Sequence, residues 1–266
     1  MGYRLISCNS LIKEITKKDT LFNGVYCVDP YQNCEFGCQY CDSSFEKTIY
    51  VKTNAWKILD EEIQHLEKGV IIIGSVNDPY QKAEEKYEIT KNLLKTIKKH
   101  DFPCHVLTKS TLILRDINLL SYINCIVTIS ITSVDKKILQ LFEKNVPSPE
   151  ERLQTVKLLV ENGIKTGVAL MPILPFQYES DIEQIIQSAS RSKAQYLLHK
   201  HLELKGDQKM VFRNIIQAHY PYQLLKINEL YKEDFKPDRK FIAALDEGVH
   251  NLCKKYRIPE KILFKN

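Results

Sequence analysis

The chain has 266 residues, of which 44% are hydrophobic, which suits one large core and is short for two full domains. Its formal charge of +5 is spread through lysines such as Lys98-Lys99 and Lys254-Lys255, so a polyanionic substrate is permitted without being argued for, and eight cysteines are too few for a disulfide scaffold. The longest apolar runs, Val70 to Ile73 and Val168 to Met171, fall far short of the ~20 residues that cross a bilayer, and no signal-peptide core opens the chain, so a cytoplasmic protein is expected.

Strand and helix patterns alternate along the chain. A β-branched run at Gly24–Val28 is followed by a helical pattern at Trp56–Leu66, and Val70–Gly74 by one at Glu84–Lys98. His105–Lys109 then precedes a short helix at Ile117–Ile123, and Cys125–Thr132 precedes Pro149–Glu161, which has Ser148 as N-cap, proline at its first position and Asn162-Gly163 as its stop. Lys165–Leu174, a helix at Asp181–Ser190 and Gln195–Leu204 complete six units. Strand-helix repetition with short connections implies parallel strands and right-handed crossovers, hence an α/β partial (β/α)6 TIM barrel, with an open doubly wound sheet as the alternative. Residues 1–205 form the expected core with an N-terminal extension. Residues 206–266 form a C-terminal helical cap on the same domain, in which His219-Tyr220-Pro221-Tyr222 and Tyr231 read as a packed aromatic cluster.

Chemistry concentrates in Cys34-Glu-Phe-Gly-Cys38-Gln-Tyr-Cys41, three thiols at a C-x3-C-x2-C spacing directly after the first strand. Three soft ligands this close point to iron or zinc. A zinc site needs a fourth ligand, for which Cys27, Cys8 or His105 are available, but no second C-x2-C follows. A [4Fe-4S] cluster held by three thiolates keeps one iron open to another ligand, and Gly37 can take the positive φ that wraps backbone around it. Cys8, Cys104, Cys125 and Cys253 read as small buried hydrophobes.

In βα barrels the functional loops lie at the C-terminal ends of strands. Those loops are Gly74–Gln81, with Ser75 and Asn77; Thr108-Lys109-Ser110; Ser130-Ile131-Thr132; and Met171-Pro172-Ile173-Leu174-Pro175. Asn77-Asp78-Pro79 and Ser133-Val134-Asp135 read equally well as turns and helix caps. His199 and His201, alternating about Lys200 at the end of the sixth strand, share one face and are candidate substrate contacts, although a structural role is the commoner one for such histidines.

Taken in order, Asp29-Pro30-Tyr31, the cysteine loop, Gly74–Gln81, Thr108–Asp116, Ser130–Thr132, Pro147–Arg152 and Pro172–Pro175 resemble the spore-photolyase-like branch of the radical S-adenosylmethionine (SAM) superfamily. The resemblance spans Asp29 to about Leu198. It implies a [4Fe-4S] cluster on Cys34, Cys38 and Cys41, with S-adenosylmethionine at the open iron cleaved to a 5'-deoxyadenosyl radical, and a flavodoxin- or ferredoxin-type reductant. It further implies that Ser75 and Asn77 receive the amino group, that Lys109 and Arg152 meet the carboxylate, and that Ser130 contacts ribose or carboxylate. Tyr40 and Met171 would face adenine, Met171 with a core-packing role as the alternative. The substrate, whether nucleic acid, peptide or metabolite, is left open. Spore photolyases return hydrogen from a cysteine in the second-strand loop, and Gly74–Gln81 holds none, so repair of thymine dimers is not expected. Two other classes stay open on the residues alone: an iron-sulfur protein for electron transfer, and a nucleic-acid-binding protein with a structural metal.

Overall fold

The computed structural model describes residues 2–44 and 46–262. In chain order the elements are β1 (Gly2–Ile6), β2 (Lys13–Glu14), β3 (Tyr26–Val28), β4 (Tyr31–Gln32), β5 (Thr48–Lys52), α1 (Ala55–Glu62), β6 (Ile71–Ile73), α2 (Ala83–Tyr87), α3 (Ile89–Lys99), β7 (Cys104–Thr108), α4 (Ile117–Leu120) and β8 (Cys125–Ser130). There follow α5 (Lys136–Phe142), α6 (Pro149–Glu161), β9 (Lys165–Ile173), α7 (Glu179–Arg191), β10 (Leu197–His201), α8 (Gln208–His219), α9 (Leu224–Leu230) and α10 (Arg239–Tyr256).

The main sheet has the order β10-β9-β8-β7-β6-β3-β2. Its first six members are parallel neighbours, and β2 pairs antiparallel with β3 at the edge. A doubly wound sheet reverses its strand order at a switch point, whereas this order follows the chain without reversal. Crossovers that all step the same way put the helices on one face and curl the sheet, which is the partial (β/α)6 barrel. The strands are short apolar runs because both faces are covered, and every residue of β8 is buried.

Local chemistry sets the helix ends. Ser148 and Glu151 form a reciprocal capping box, with Pro149 in the first turn of α6. The single helix expected over Glu84–Lys98 is broken at Glu88, whose φ is 47°. The cause is Glu84: its buried carboxylate accepts from the Thr90 and Lys91 amides at 2.9 and 3.1 Å, capping α3 from the preceding helix. It also receives the Tyr31 hydroxyl and pairs with Arg115 at 2.7 Å. A separate three-stranded sheet, β1-β5-β4, packs beside the barrel and was not expected. Cys104, Cys125 and Cys253 are buried as expected. Cys8 is only half-buried, because it sits on the surface loop tied to Asn54, whose Oδ1 accepts its amide at 2.9 Å. Among the described residues no helix is long and apolar enough to cross a membrane.

Candidate active site

The cysteine loop follows β3 and is held by backbone hydrogen bonds, within itself and to the end of α5. The Cys34 amide donates to Ser43 O at 2.9 Å, the Cys41 amide to Cys38 O at 3.1 Å, and the Gln39 amide to Phe142 O at 3.0 Å. Gln81 clamps the loop start, accepting from the Glu35 amide at 2.9 Å and donating to Asn33 O at 3.0 Å. Gly37 turns the loop at φ 63°, the left-handed region open to glycine. All three cysteines are free thiols and line one cavity of about 310 Å³ with Tyr40, Ser75, Lys109, Ser130 and Met171.

Burial pushes the Cys34 thiol up to about 12 and the Cys38 thiol well above its ordinary value. Thiolates there need a cation, as metal ligation supplies. Among the described residues no group of three or more His, Cys, Asp or Glu is gathered so as to hold a metal ion. Mononuclear zinc requires that convergence, whereas a polynuclear cluster takes one thiolate per iron, and three separate thiols around a cavity fit it.

The second-strand loop is shaped by Gly74 and two aspartates. At φ 89°, Gly74 has no room for a Cβ, which would stand 2.4 Å from Pro79 Cδ and 2.5 Å from Leu107 O. The resulting turn presents Ser75 to the cavity. Asp29 accepts from Ser75 Oγ at 3.2 Å and from the Val76 and Asn77 amides at 3.2 and 3.1 Å. Asp78 accepts from Thr108 Oγ1 at 2.6 Å, the Lys109 amide at 2.7 Å and the Tyr80 amide at 2.9 Å. Each Asp-Pro-Tyr thus ties one loop to the next.

The Radical SAM superfamily matches residues 28–189. The chain belongs to the radical SAM superfamily. An uncharacterized protein of Methanocaldococcus jannaschii is 29% identical over 238 residues, covering 86% of this chain and 90% of its own length. A protein of the Acidianus two-tailed virus is 28% identical over 199 residues, covering 72% of this chain and 60% of its own. The fold is similar to a spore photoproduct lyase variant with bound AdoMet and dinucleoside spore photoproduct, at TM-score 0.76 and 15% identity, with 99% of this chain and 82% of that one covered. SuiB of Streptococcus suis bound to S-adenosylmethionine matches at TM-score 0.52 and 14% identity over 75% of this chain and 47% of its own.

In this radical SAM enzyme, Lys109 is a cation on the cavity wall. Its Nζ lies 2.5 Å from Ser130 Oγ and 3.4 Å from Glu143 Oε1, and Ser130 Oγ donates onward to Met171 O at 3.0 Å. Arg152, expected beside Lys109, does not line the cavity. It is 0% exposed, donating to Ser130 O at 2.8 Å and to Glu143 Oε2 at 2.9 Å from behind the strand. Asn77 is likewise buried and off the cavity wall. Glu143 was not foreseen. Burial would raise its carboxyl, but the Lys109 and Arg152 charges, with the Tyr40 and Thr132 hydroxyls, hold it at about 2. Tyr40 donates to Glu143 and lies 3.0 Å from Thr132 Oγ1, so the cysteine loop, Lys109 and Arg152 meet at one carboxylate.

His199 and His201 do not look into the cavity; Lys200 lines it. The β10–β9 pairing shifts register between His199 and His201, and His199 Nε2 lies 3.0 Å from Asp246 on α10. The alternation around Lys200 was legible, and the choice of face was not.

Proposed function

We propose that the protein is a radical SAM enzyme that holds a [4Fe-4S] cluster on Cys34, Cys38 and Cys41, binds S-adenosylmethionine in the adjoining cavity and abstracts hydrogen from a carbon centre of its substrate. The observation that carries this reading is the placement of the three thiols, Ser75, Lys109 and Ser130 on one cavity wall. When bound and reduced, the cluster supplies the electron that cleaves the cofactor to a 5'-deoxyadenosyl radical.

The residues of this chain do the binding and orienting. Lys109, steadied by Ser130 and Glu143, offers a cation to the carboxylate, and Ser75 Oγ, backed by Asp29, offers a polar partner to the amino group. Arg152 acts through Glu143 and Ser130 as a positioning residue. Tyr40 and Met171 bound the same space and exclude water from it.

Anaerobically reconstituted protein, reduced with dithionite and given S-adenosylmethionine alone, is expected to form 5'-deoxyadenosine and methionine. Full cluster loading with no cleavage would favour an iron-sulfur protein of electron transfer instead.

A further inference from the structure

The cysteine loop has two sides. One faces the cavity, whose mouth must admit cofactor and substrate. The other meets the surface at a groove of about 520 Å³ lined by Phe36, Tyr80, Lys82, Glu85, Lys144 and Pro147. Phe36, between Cys34 and Cys38, lines both the groove and the cavity. The loop tip is there too, since Asn145 Nδ2 lies 3.5 Å from where a Cβ on Gly37 would stand. A protein docked at the mouth would block substrate, whereas one docked at the groove reaches the thiol loop through a single side chain.

The charges on this face are available. Lys91, Lys99, Lys193 and Lys255 are each engaged with an acid. Lys82 and Lys144 beside the groove, and Lys136 in the adjoining cleft that shares Lys144, are exposed and form no ion pair among the described residues. The acids lining the groove and the cleft are Glu85, Glu143 and Glu150; Glu143 is buried and paired with Lys109 and Arg152, and Glu150 stands in the first turn of α6, where the positive helix end offsets part of its charge. Electron-transfer encounters use small interfaces steered by rim charge, which this face suits.

We infer that the groove beside Phe36, flanked by Lys82, Lys136 and Lys144, is the docking surface for an acidic, low-potential one-electron carrier protein. The inference rests on the proposed cluster. One electron leaves the reduced carrier and enters the oxidised cluster, and no bond is made or broken at the groove.

The test uses reconstituted holoprotein and a flavodoxin as probe. In the K82E/K144E variant, flavodoxin affinity measured by calorimetry at low salt is expected to fall roughly tenfold or more, and the milder K82Q/K144Q to fall less. Cleavage of S-adenosylmethionine driven by flavodoxin hydroquinone should fall in step, while cleavage driven by dithionite stays at the wild-type rate. Unchanged flavodoxin affinity, or equal loss with both reductants, overturns the inference. Absence of dithionite-driven cleavage in the wild type would instead strike the proposed function, and the calorimetry would still decide the docking surface.

Discussion

Arg152 and Glu143 meet at 2.9 Å with both side chains shut off from solvent, while Lys109 reaches the same carboxylate from the cavity side at 3.4 Å. The two cations therefore have different jobs, and their alanine variants should separate. Arg152→Ala leaves Glu143 short of its buried partner and should cost about 3–5 kcal/mol of folding stability, read from urea midpoints. Lys109→Ala should fold with its cluster yet bind S-adenosylmethionine more weakly by roughly ten- to more than a hundredfold, the equivalent of about 1.5–3 kcal/mol for a charge-assisted bond. Equal stability of Arg152→Ala and wild type would show that the ion pair contributes nothing.

The depressed Glu143 carboxyl predicts a pH dependence of definite sign. Its ordinary value is 4.5 and its folded value about 2, so its charge stabilises the fold fully above pH 4.5, and that contribution is lost as pH falls through 2. Glu143→Gln lacks the charge at every pH. The stability gap between wild type and this variant should be flat above pH 4.5, on the order of 3 kcal/mol, and should narrow between 4.5 and 2. A gap that widens on acidification would contradict the assignment. Cofactor affinity in Glu143→Gln should fall as well, because Lys109 loses the carboxylate that steadies it.

How much of this was legible depended on whether the cause was local. Four of the barrel strands, β6 to β9, could be read because they are short runs rich in β-branched residues and mostly buried, and α6 because Ser148, Pro149 and Glu151 sit within four residues of one another. The break at Glu88 could not, since the capping carboxylate of Glu84 lies inside the same helical pattern it interrupts. In the sheet β1-β5-β4, β1 pairs with a strand more than forty residues away, and β1 is exposed along most of its length and shows no alternation of buried and exposed residues. Glu143 has no local sign at all: Tyr40, Lys109 and Arg152 come to it from three other segments. Asp29 and Asp78 did carry one, the Asp-Pro-Tyr that occurs twice, at 29–31 and 78–80.

The thiol assignment predicts two classes of cysteine. Cys34→Ala, Cys38→Ala and Cys41→Ala should each lose the visible iron-sulfur absorbance and all cofactor cleavage, with about four irons per chain in the wild type. Cys104→Ala, Cys125→Ala and Cys253→Ala remove thiols that pack in the core away from the cavity wall, and should keep both properties. A fully loaded cluster in any of the first three variants, or stoichiometric zinc in anaerobically purified wild type, would refute the ligand set.

The final prediction concerns the fate of a product radical. The second-strand loop lines the cavity with Gly74, Ser75, Val76 and Asp78, none of them a thiol, and a hydroxyl such as that of Ser75 is a far poorer hydrogen donor to a carbon radical than a thiol. Cys104 begins β7 at the opposite end of the barrel, and Cys253 lies on α10, so neither can substitute. Any product radical must be quenched another way, by return of hydrogen from 5'-deoxyadenosine or by oxidation or coupling. The reduced enzyme should therefore fail to restore thymines in a thymine-dimer oligonucleotide over many turnovers, even while 5'-deoxyadenosine forms. Sustained repair would overturn this, and the suspect would then be Cys27, on β3, whose thiol burial raises while a hydrogen bond with Ser75 lowers it. Its alanine variant would lose repair and keep cofactor cleavage.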